Sequence, residues 1–253
     1  MVTEQESSGI SGDEPSLIIE DPPFVATAVR PWYRRPGTLA GIALIVAAAI
    51  GALVFTNGRA DQSTSAKTSA VGAIPAKPPG QNETVKNYIE DNDITSTPVY
   101  SGDPGVPNIV IALPRGWSDL GEDTPAYAYG AVQLDTSPNP DDPPTITVLL
   151  SKLTGDVDSA KILEYAPGEL RNLPNYVAAS EPITDNLSGF EAVQLAGFYE
   201  RDGTKRTIAQ KTVVIPANEA VFVLQMNADA LVSDAATLVQ ATDVIDKQTT
   251  IKP

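Results

Sequence analysis

Apolar and polar positions divide this chain into three regimes. From Leu39 to Phe55 the sequence LAGIALIVAAAIGALVF carries no charge and no Pro. Extended by Gly37, Thr38 and Thr56, it reaches the roughly 20 residues that a helix needs to cross about 30 Å of hydrocarbon. Lipid offers no partner to a backbone amide, so the spanning form is a helix, and residues 37–56 are predicted to be one transmembrane segment. Before it, residues 1–24 are polar apart from Leu17-Ile18-Ile19 and too poor in apolar residues to build a core. Residues 1–36 therefore read as a disordered tail. After it, residues 57–81 are rich in Ser, Thr, Ala, Gly and Pro and have no period, the composition of a flexible linker.

From residue 82 the pattern changes to short apolar or alternating runs broken by Pro, Gly, Asn and Asp, and residues 82–253 are enough for one domain with its own core. After Asn82, ETVKNYIEDND places Val85, Tyr88 and Ile89 on one face of a short capped helix. Ile109-Val110-Ile111 is strand-like and ends at Pro114-Arg115-Gly116. In TPAYAYGAVQLD, Tyr127, Tyr129, Ala131 and Gln133 alternate with Ala128, Gly130, Val132 and Leu134, which predicts a second strand. TITVLLSKLTG, residues 145–155, is the strongest strand pattern, β-branched and apolar. Asp156 or Asp158 is placed to cap a helix over SAKILEYAPGELRNL, which Pro167-Gly168 is predicted to interrupt or end. NYVAASEPI, GFEAVQLAGFYE, KRTIAQKTVVIP and EAVFVLQMNA read as four more strands. Asp202-Gly203 joins two of them in a tight hairpin, because Asp-Gly supplies the positive φ that such a turn demands. Ser233 is predicted to cap a last helix, with Ala236, Leu238, Val239, Thr242 and Ile245 near helical spacing, that packs back on the sheet. The expected fold class is α+β, a mainly antiparallel sheet flanked by helices.

Charge around the apolar run orients it. The leading flank, RPWYRRPG, holds Arg30, Arg34 and Arg35, no acid, and the aromatic pair Trp32-Tyr33, whereas the far flank holds only Arg59 and Lys67. This bias places the N-terminus in the cytoplasm and the domain from residue 82 outside, as a single-pass cell-membrane protein. A cleaved signal peptide competes, since a basic region, an apolar run and Gly58-Arg59-Ala60 follow in order. The long leading tail and the length of the run favour an uncleaved anchor.

Composition narrows the chemistry. The 253 residues hold 17 Lys and Arg against 32 Asp and Glu, and only three Arg and six acids of these fall in the first 36. The outer domain is therefore strongly acidic, which excludes nucleic acid as a partner, since phosphate neutralisation needs clustered Lys and Arg. Absence of Cys removes disulfides, thiolate nucleophiles and a lipid-modified N-terminal Cys. Absence of His removes the commonest general base and zinc ligand, and with them any Ser-His-Asp triad. No catalytic residue, cofactor or metal site is expected. Asp141-Asp142 sits in a Pro-rich loop without the roughly six to eight oxygens that Ca²⁺ requires, and reads as solvated. Glu200, Arg201, Asp202, Lys205 and Arg206 form a mixed-charge hairpin tip of the kind that keeps turns soluble.

The candidate binding residues are aromatic. Trp117 follows a Leu-Pro-Arg-Gly turn at a strand end, where its ring can wall a pocket mouth. Tyr127, Tyr129, Phe198 and Tyr199 lie on predicted strands and together offer a groove for an acyl chain. Core and cross-strand packing account for all five as well.

Ile94-Thr95-Ser96-Thr97-Pro98-Val99, running into Gly102-Asp103-Pro104-Gly105-Val106-Pro107, and then Leu113-Pro114-Arg115-Gly116-Trp117, resemble the Lpp-LpqN family of actinobacterial envelope proteins. The resemblance implies an antiparallel sheet flanked by helices of the Mog1 and PsbP type, in agreement with the element pattern. It also implies an extracytoplasmic domain that binds a lipid-like ligand or a membrane protein such as an MmpL-type transporter, and it brings no catalytic motif. Without Cys, the anchor of this chain is the helix from Leu39 to Phe55. The expected function is a membrane-anchored binding or adaptor domain supporting lipid export or envelope biogenesis, and not an enzyme. Two other readings stand beside it: a signal relay in which the tail reports inside, and a hydrolase using two carboxylates, for which no stretch singles out a facing pair.

Overall fold

The computed structural model describes residues 81–253 and the backbone of Phe24 and Val25. The predicted transmembrane segment, the linker to residue 80 and the rest of the tail lie outside the described residues. Among the described residues no helix is long and apolar enough to cross a membrane.

In chain order the elements are β1 (Phe24–Val25), α1 (Val85–Asp91), β2 (Thr95–Val99), β3 (Asn108–Ile111), β4 (Trp117–Asp119), β5 (Gly130–Leu134), β6 (Thr145–Thr154), α2 (Ser159–Arg171), β7 (Val177–Ala178), β8 (Ile183–Leu187), β9 (Phe190–Arg201), β10 (Thr204–Pro216), β11 (Val221–Leu231), α3 (Ala235–Gln248) and β12 (Thr250–Lys252). The four long strands stand in the order β6-β11-β10-β9. Outside β6, β5 pairs with its first half and β2 with its second, and β4 lies beyond β5. Outside β9 lie β7 and β8. Every pairing is antiparallel, so the fold is a mainly antiparallel sheet flanked by helices, as its alternating pattern predicts. A second small sheet has the order β1-β3-β12.

Side chains alternate between the two faces of the large sheet. On one face Ile146, Val148, Val213, Ile215 and Leu224 form a core with Leu238 and Ile245 of α3 and with Ile109, Ile111 and Ile251 of the small sheet. On the other, Leu153, Val193, Val214 and Val223 pack against α1 and α2 through Val85, Ile89, Ile162 and Ala166. A third cluster joins Leu170 of α2 to Leu195, Tyr199 and Ile208. Buried Lys211, on β10, ties the first face together by donating to Asp185 of β8 at 3.2 Å and pairing with Asp246 of α3 at 2.9 Å.

Local chemistry explains most boundaries and several departures from the sequence expectation. Thr84, not Asn82, caps α1, its hydroxyl accepting from the Asn87 amide in a capping box. Asn82 instead donates its backbone N–H to Oδ1 of Asn172, at the end of α2, at 2.8 Å. Asp158 caps α2 through the Ala160 amide. The helix runs through Pro167, because tertiary packing there outweighs one missing backbone donor. Gly168 is where α1's lead-in touches α2: an added Cβ would stand 1.7 Å from the Glu83 carbonyl oxygen. The strand predicted over TPAYAYGAVQLD begins only at Gly130; Tyr127 precedes it in a turn closed by the Ala128 amide on Pro125, and Tyr129 follows that turn, its amide donating to the Val148 carbonyl. Ser233 falls inside a 3₁₀ turn, Val232–Asp234, and Asp234 takes the N-cap place of α3 with no side-chain cap. The hairpin is as expected, with Asp202 and Gly203 both at positive φ. β4 and β12, three residues each, were too short to register in the pattern, and Pro98 hid β2.

One polar seam lies beneath α2. Glu169 is 2% exposed, and its Oε2 accepts from Nε2 of Gln225 at 3.3 Å. Its other oxygen, the Gln225 carbonyl oxygen and the Thr212 hydroxyl have no hydrogen-bond partner among the described residues. Burial pushes the Glu169 carboxyl up from 4.5 to about 7 against the weaker opposing effect of the Gln225 hydrogen bond.

Two outcomes follow from these contacts. Gly168→Ala forces backbone against backbone and is expected to cost about 1–3 kcal/mol, read as a lower melting temperature. A carboxyl with a raised folded-state pKa favours the fold while protonated, and that contribution is lost as pH rises from 4.5 to about 7. Glu169→Gln is therefore expected to match the parent at pH 4 and to exceed it by about 3 kcal/mol at pH 8, in denaturant melts at the two pH values. A constant difference between the two proteins across that range would refute the assignment.

Candidate functional site

The face that β6, β11, β10 and β9 share with α2 changes character along its length. α2 packs over β9 and β10, and the apolar cover reaches β6 only at Leu153. Toward the start of β6, register lines up polar side chains across the sheet. One row reads Ala131, Thr147, Asn227, Gln210, Leu195, and the next Gln133, Thr145, Asp229, Ile208. Gln133, Thr145, Thr147, Leu149 and Asn227 are only half-buried there. Gln210 is held by its neighbour, Nε2 donating to Oδ1 of Asn227 at 3.1 Å. The result is a shallow floor of hydroxyl and amide groups beside one Leu, bounded by α2.

A charged cluster closes the far end of this floor. Arg206, 2% exposed, donates Nε to Oδ1 of Asp229 at 2.6 Å and grips Asp142 through both terminal nitrogens. Tyr199 donates its hydroxyl to Oδ2 of Asp229 at 2.5 Å. Arg201 adds a 3.4 Å pair to Asp142 and a 3.8 Å pair to Asp229. Burial alone lowers an arginine's affinity for its proton, but the two carboxylates outweigh it and Arg206 binds its proton more tightly than usual. Burial, and then the negative Asp229, push the Tyr199 phenol well above its ordinary value. Two cations face two anions, so the formal charges of the cluster balance, and the pairs to Asp142 pin the Pro-rich loop to the sheet. Asp142 is thus a buried-pair partner and not a purely solvated loop residue, and Arg206 is not part of a soluble hairpin tip.

Burial shifts the Glu169 carboxyl toward neutrality, but Glu169 is sealed beneath α2 with Gln225 as its hydrogen-bond partner; burial also raises Asp246, which is paired with Lys211 on the opposite face. Among the described residues no group of three or more acids is placed to hold a metal ion.

The five candidate aromatics are divided rather than assembled. Trp117, 4% exposed, and Tyr129 belong to the core on the α3 face. Tyr199 lies in the cluster under α2, on the opposite face. Phe198 is 42% exposed and sits across from Val177 of β7. Tyr127 is half-buried in the turn before β5. A cleft of about 300 Å³ beside the β10–β11 hairpin is lined by Gly105, Lys152, Glu219 and Phe222 among others, and by none of the five. The residues that sequence reasoning missed are Thr147, Asn227, Gln210, Arg206 and Asp229. Their signal is phase: Arg206 and Gln210 keep step with Ile208 and Val214, which mark the covered face of β10.

The chain has relatives of known sequence and structure. The family model described as "Probable lipoprotein LpqN" matches residues 81–252. Lipoprotein LpqN of Mycobacterium tuberculosis (strain ATCC 25618 / H37Rv) is 52% identical over 174 residues, 69% of this chain and 76% of that protein. The crystal structure of LpqN, described as involved in cell envelope biogenesis of Mycobacterium tuberculosis, is 51% identical, with a TM-score of 0.66, over 69% of this chain and all of that one. The Ran-binding protein Mog1p of Saccharomyces cerevisiae aligns at 13% identity and a TM-score of 0.35 over 62% of this chain and 95% of its own. From the span of the family match and the identity to LpqN, this chain belongs to the Lpp-LpqN family.

Proposed function

We propose that this chain is a binding domain of the cell envelope, held at the outer side of the membrane by a helix over residues 37–56 and presenting the half-open polar face to a lipid-like ligand. An MmpL-type transporter is the membrane partner from which it receives that ligand or to which it passes it. The observation that carries the reading is the floor of neutral hydroxyl and amide groups around Thr147 and Asn227, with Leu149 beside it, on the half of the sheet face that α2 leaves open. Neutral donors and acceptors suit an uncharged polar headgroup, and an apolar neighbour suits the start of a chain. The acidic surface of the domain disfavours an anionic one. The solved relative LpqN is described as involved in cell envelope biogenesis, which is consistent with such a ligand. Because the chain has no Cys to carry a lipid, the apolar helix is the anchor.

Two measurements test this. Full-length protein purified into nanodiscs from an actinobacterial host is expected to carry a discrete lipid by mass spectrometry, and Thr147→Arg, at a half-exposed position, is expected to lower its yield at least tenfold with an unchanged melting temperature. Equal lipid in both proteins, or none in either, would count against the site. For topology, the Cys-free chain allows single Ser7→Cys and Ser118→Cys variants to be treated in intact cells with a membrane-impermeant maleimide. Ser118 is expected to label and Ser7 to stay protected; labelling of Ser7 would overturn the crossing.

A further inference from the structure

Large apolar side chains gather at one outer edge of the sheet. β7 and β8 both pair outside β9, with Val177 opposite Phe198 and Ile183 opposite Gln194. Residues directly opposite in an antiparallel pair share a face. Alternation along β9 puts Phe198 and Gln194 on the same side as Ala192, which belongs to the core of the α3 face. Val177, Ile183 and Phe198 therefore project from one edge on one face, and they are 63%, 50% and 42% exposed. Together they form a patch, where single exposed apolar side chains would be ordinary.

The charges beside this patch are balanced, although the chain as a whole is strongly acidic. Asp185, next along the same face of β8, lies 3.2 Å from the buried Lys211. Glu181, between β7 and β8, lies 3.7 Å from Arg171, and Glu200 stands across from Lys205. The patch is also close to where the chain enters the domain. Asn82 donates to Asn172 through its backbone N–H and its side-chain amide. Val177 comes soon after Asn172, past a turn closed by the Tyr176 amide on Leu173.

We propose that this edge rests on the outer surface of the membrane to which the domain is tethered, with Val177, Ile183 and Phe198 at the boundary of lipid headgroups and acyl chains. The inference rests on the membrane crossing proposed above. With that crossing, a linker of the composition of residues 57–81 reaches roughly 25–30 Å and delivers the domain at Asn82, beside the patch. Such a tether presents the bilayer at an effective concentration on the order of millimolar, so a shallow contact by three side chains suffices. A protein partner would require about 800 Å² per side, more than three partly exposed side chains supply. The polar floor, on the α2 face and toward β5, then lies away from the bilayer.

The chain has no Cys, so Val177→Cys, Ile183→Cys and, as a control, Val239→Cys can each carry a single bimane. All three side chains are exposed, Val239 on α3 about as much as Val177, so folding is not at issue. The full-length variants are placed in phosphatidylcholine nanodiscs with and without nitroxide-labelled acyl chains. Nitroxide is expected to quench bimane at 177 and 183 roughly twofold, the response of side chains at that depth, and to leave 239 unchanged. No quenching at 177 and 183, or equal quenching at all three positions, with Ser7→Cys still protected from maleimide in intact cells, overturns the membrane-facing edge and leaves the crossing intact. A blue shift at 177 and 183 that requires two copies per disc and no nitroxide quenching assigns the edge to a second copy and overturns the proposal too. Labelling of Ser7→Cys removes the crossing and the membrane contact with it.

Discussion

The continuous register of β10 between β9 and β11 is the constraint on which the rest of the domain depends. Strict alternation along this strand sends Arg206, Ile208, Gln210, Thr212 and Val214 toward α2, and Lys211, Val213 and Ile215 toward α3. Both buried cations of the central sheet thus come from one strand and point to opposite faces. A slip of one residue would exchange the faces, taking Arg206 and Lys211 away from the acids that pair with them and turning Val213 and Ile215 toward α2. The long hairpin turning at Asp202-Gly203 holds that register in place.

The two faces meet their cover in different ways. On the α3 side a helix and a small sheet fill the space with aliphatic side chains, and Lys211 ties both α3 and β8 to the sheet. On the α2 side the helix covers only part of the width, and polarity rises where cover is lost: first the sealed Glu169, Gln225 and Thr212, then the half-open Thr147 and Asn227, then the Arg206 cluster. A buried ion pair of this kind contributes little net stability against a hydrophobic replacement, but losing one partner strands the other. The cluster's effect is geometric, because it holds the 136–144 loop at the border of the polar floor.

The aromatic residues show how far residue type alone carries. Trp117 stands out as a ligand-facing candidate by its size and its place after a turn, and Tyr129 by its place on a predicted strand, and the structure puts both in the core of the α3 face. Phe198 and Tyr199 are adjacent and therefore point to opposite sides of β9, one exposed and one buried. The floor that faces outward is built instead from Thr, Asn and Gln, residues that in a sequence look like ordinary strand filler. Their common face emerges only when β5, β6, β11 and β10 are set side by side.

The sequence by itself determined the apolar run from Leu39 to Phe55, the fold class, the long strands and the Asp-Gly hairpin, since each rests on local periodicity or on backbone preferences of single residues. It also determined what chemistry is absent, as a chain without Cys or His has no thiolate and no imidazole. Tertiary structure alone decided that α2 continues through Pro167, that Thr84 and not Asn82 caps α1, and that Asp142 reaches Arg206 across 64 residues. It alone decided which polar residues share a face. These features depend on contacts between residues far apart in the chain, where packing and desolvation override the local preferences that a linear pattern records.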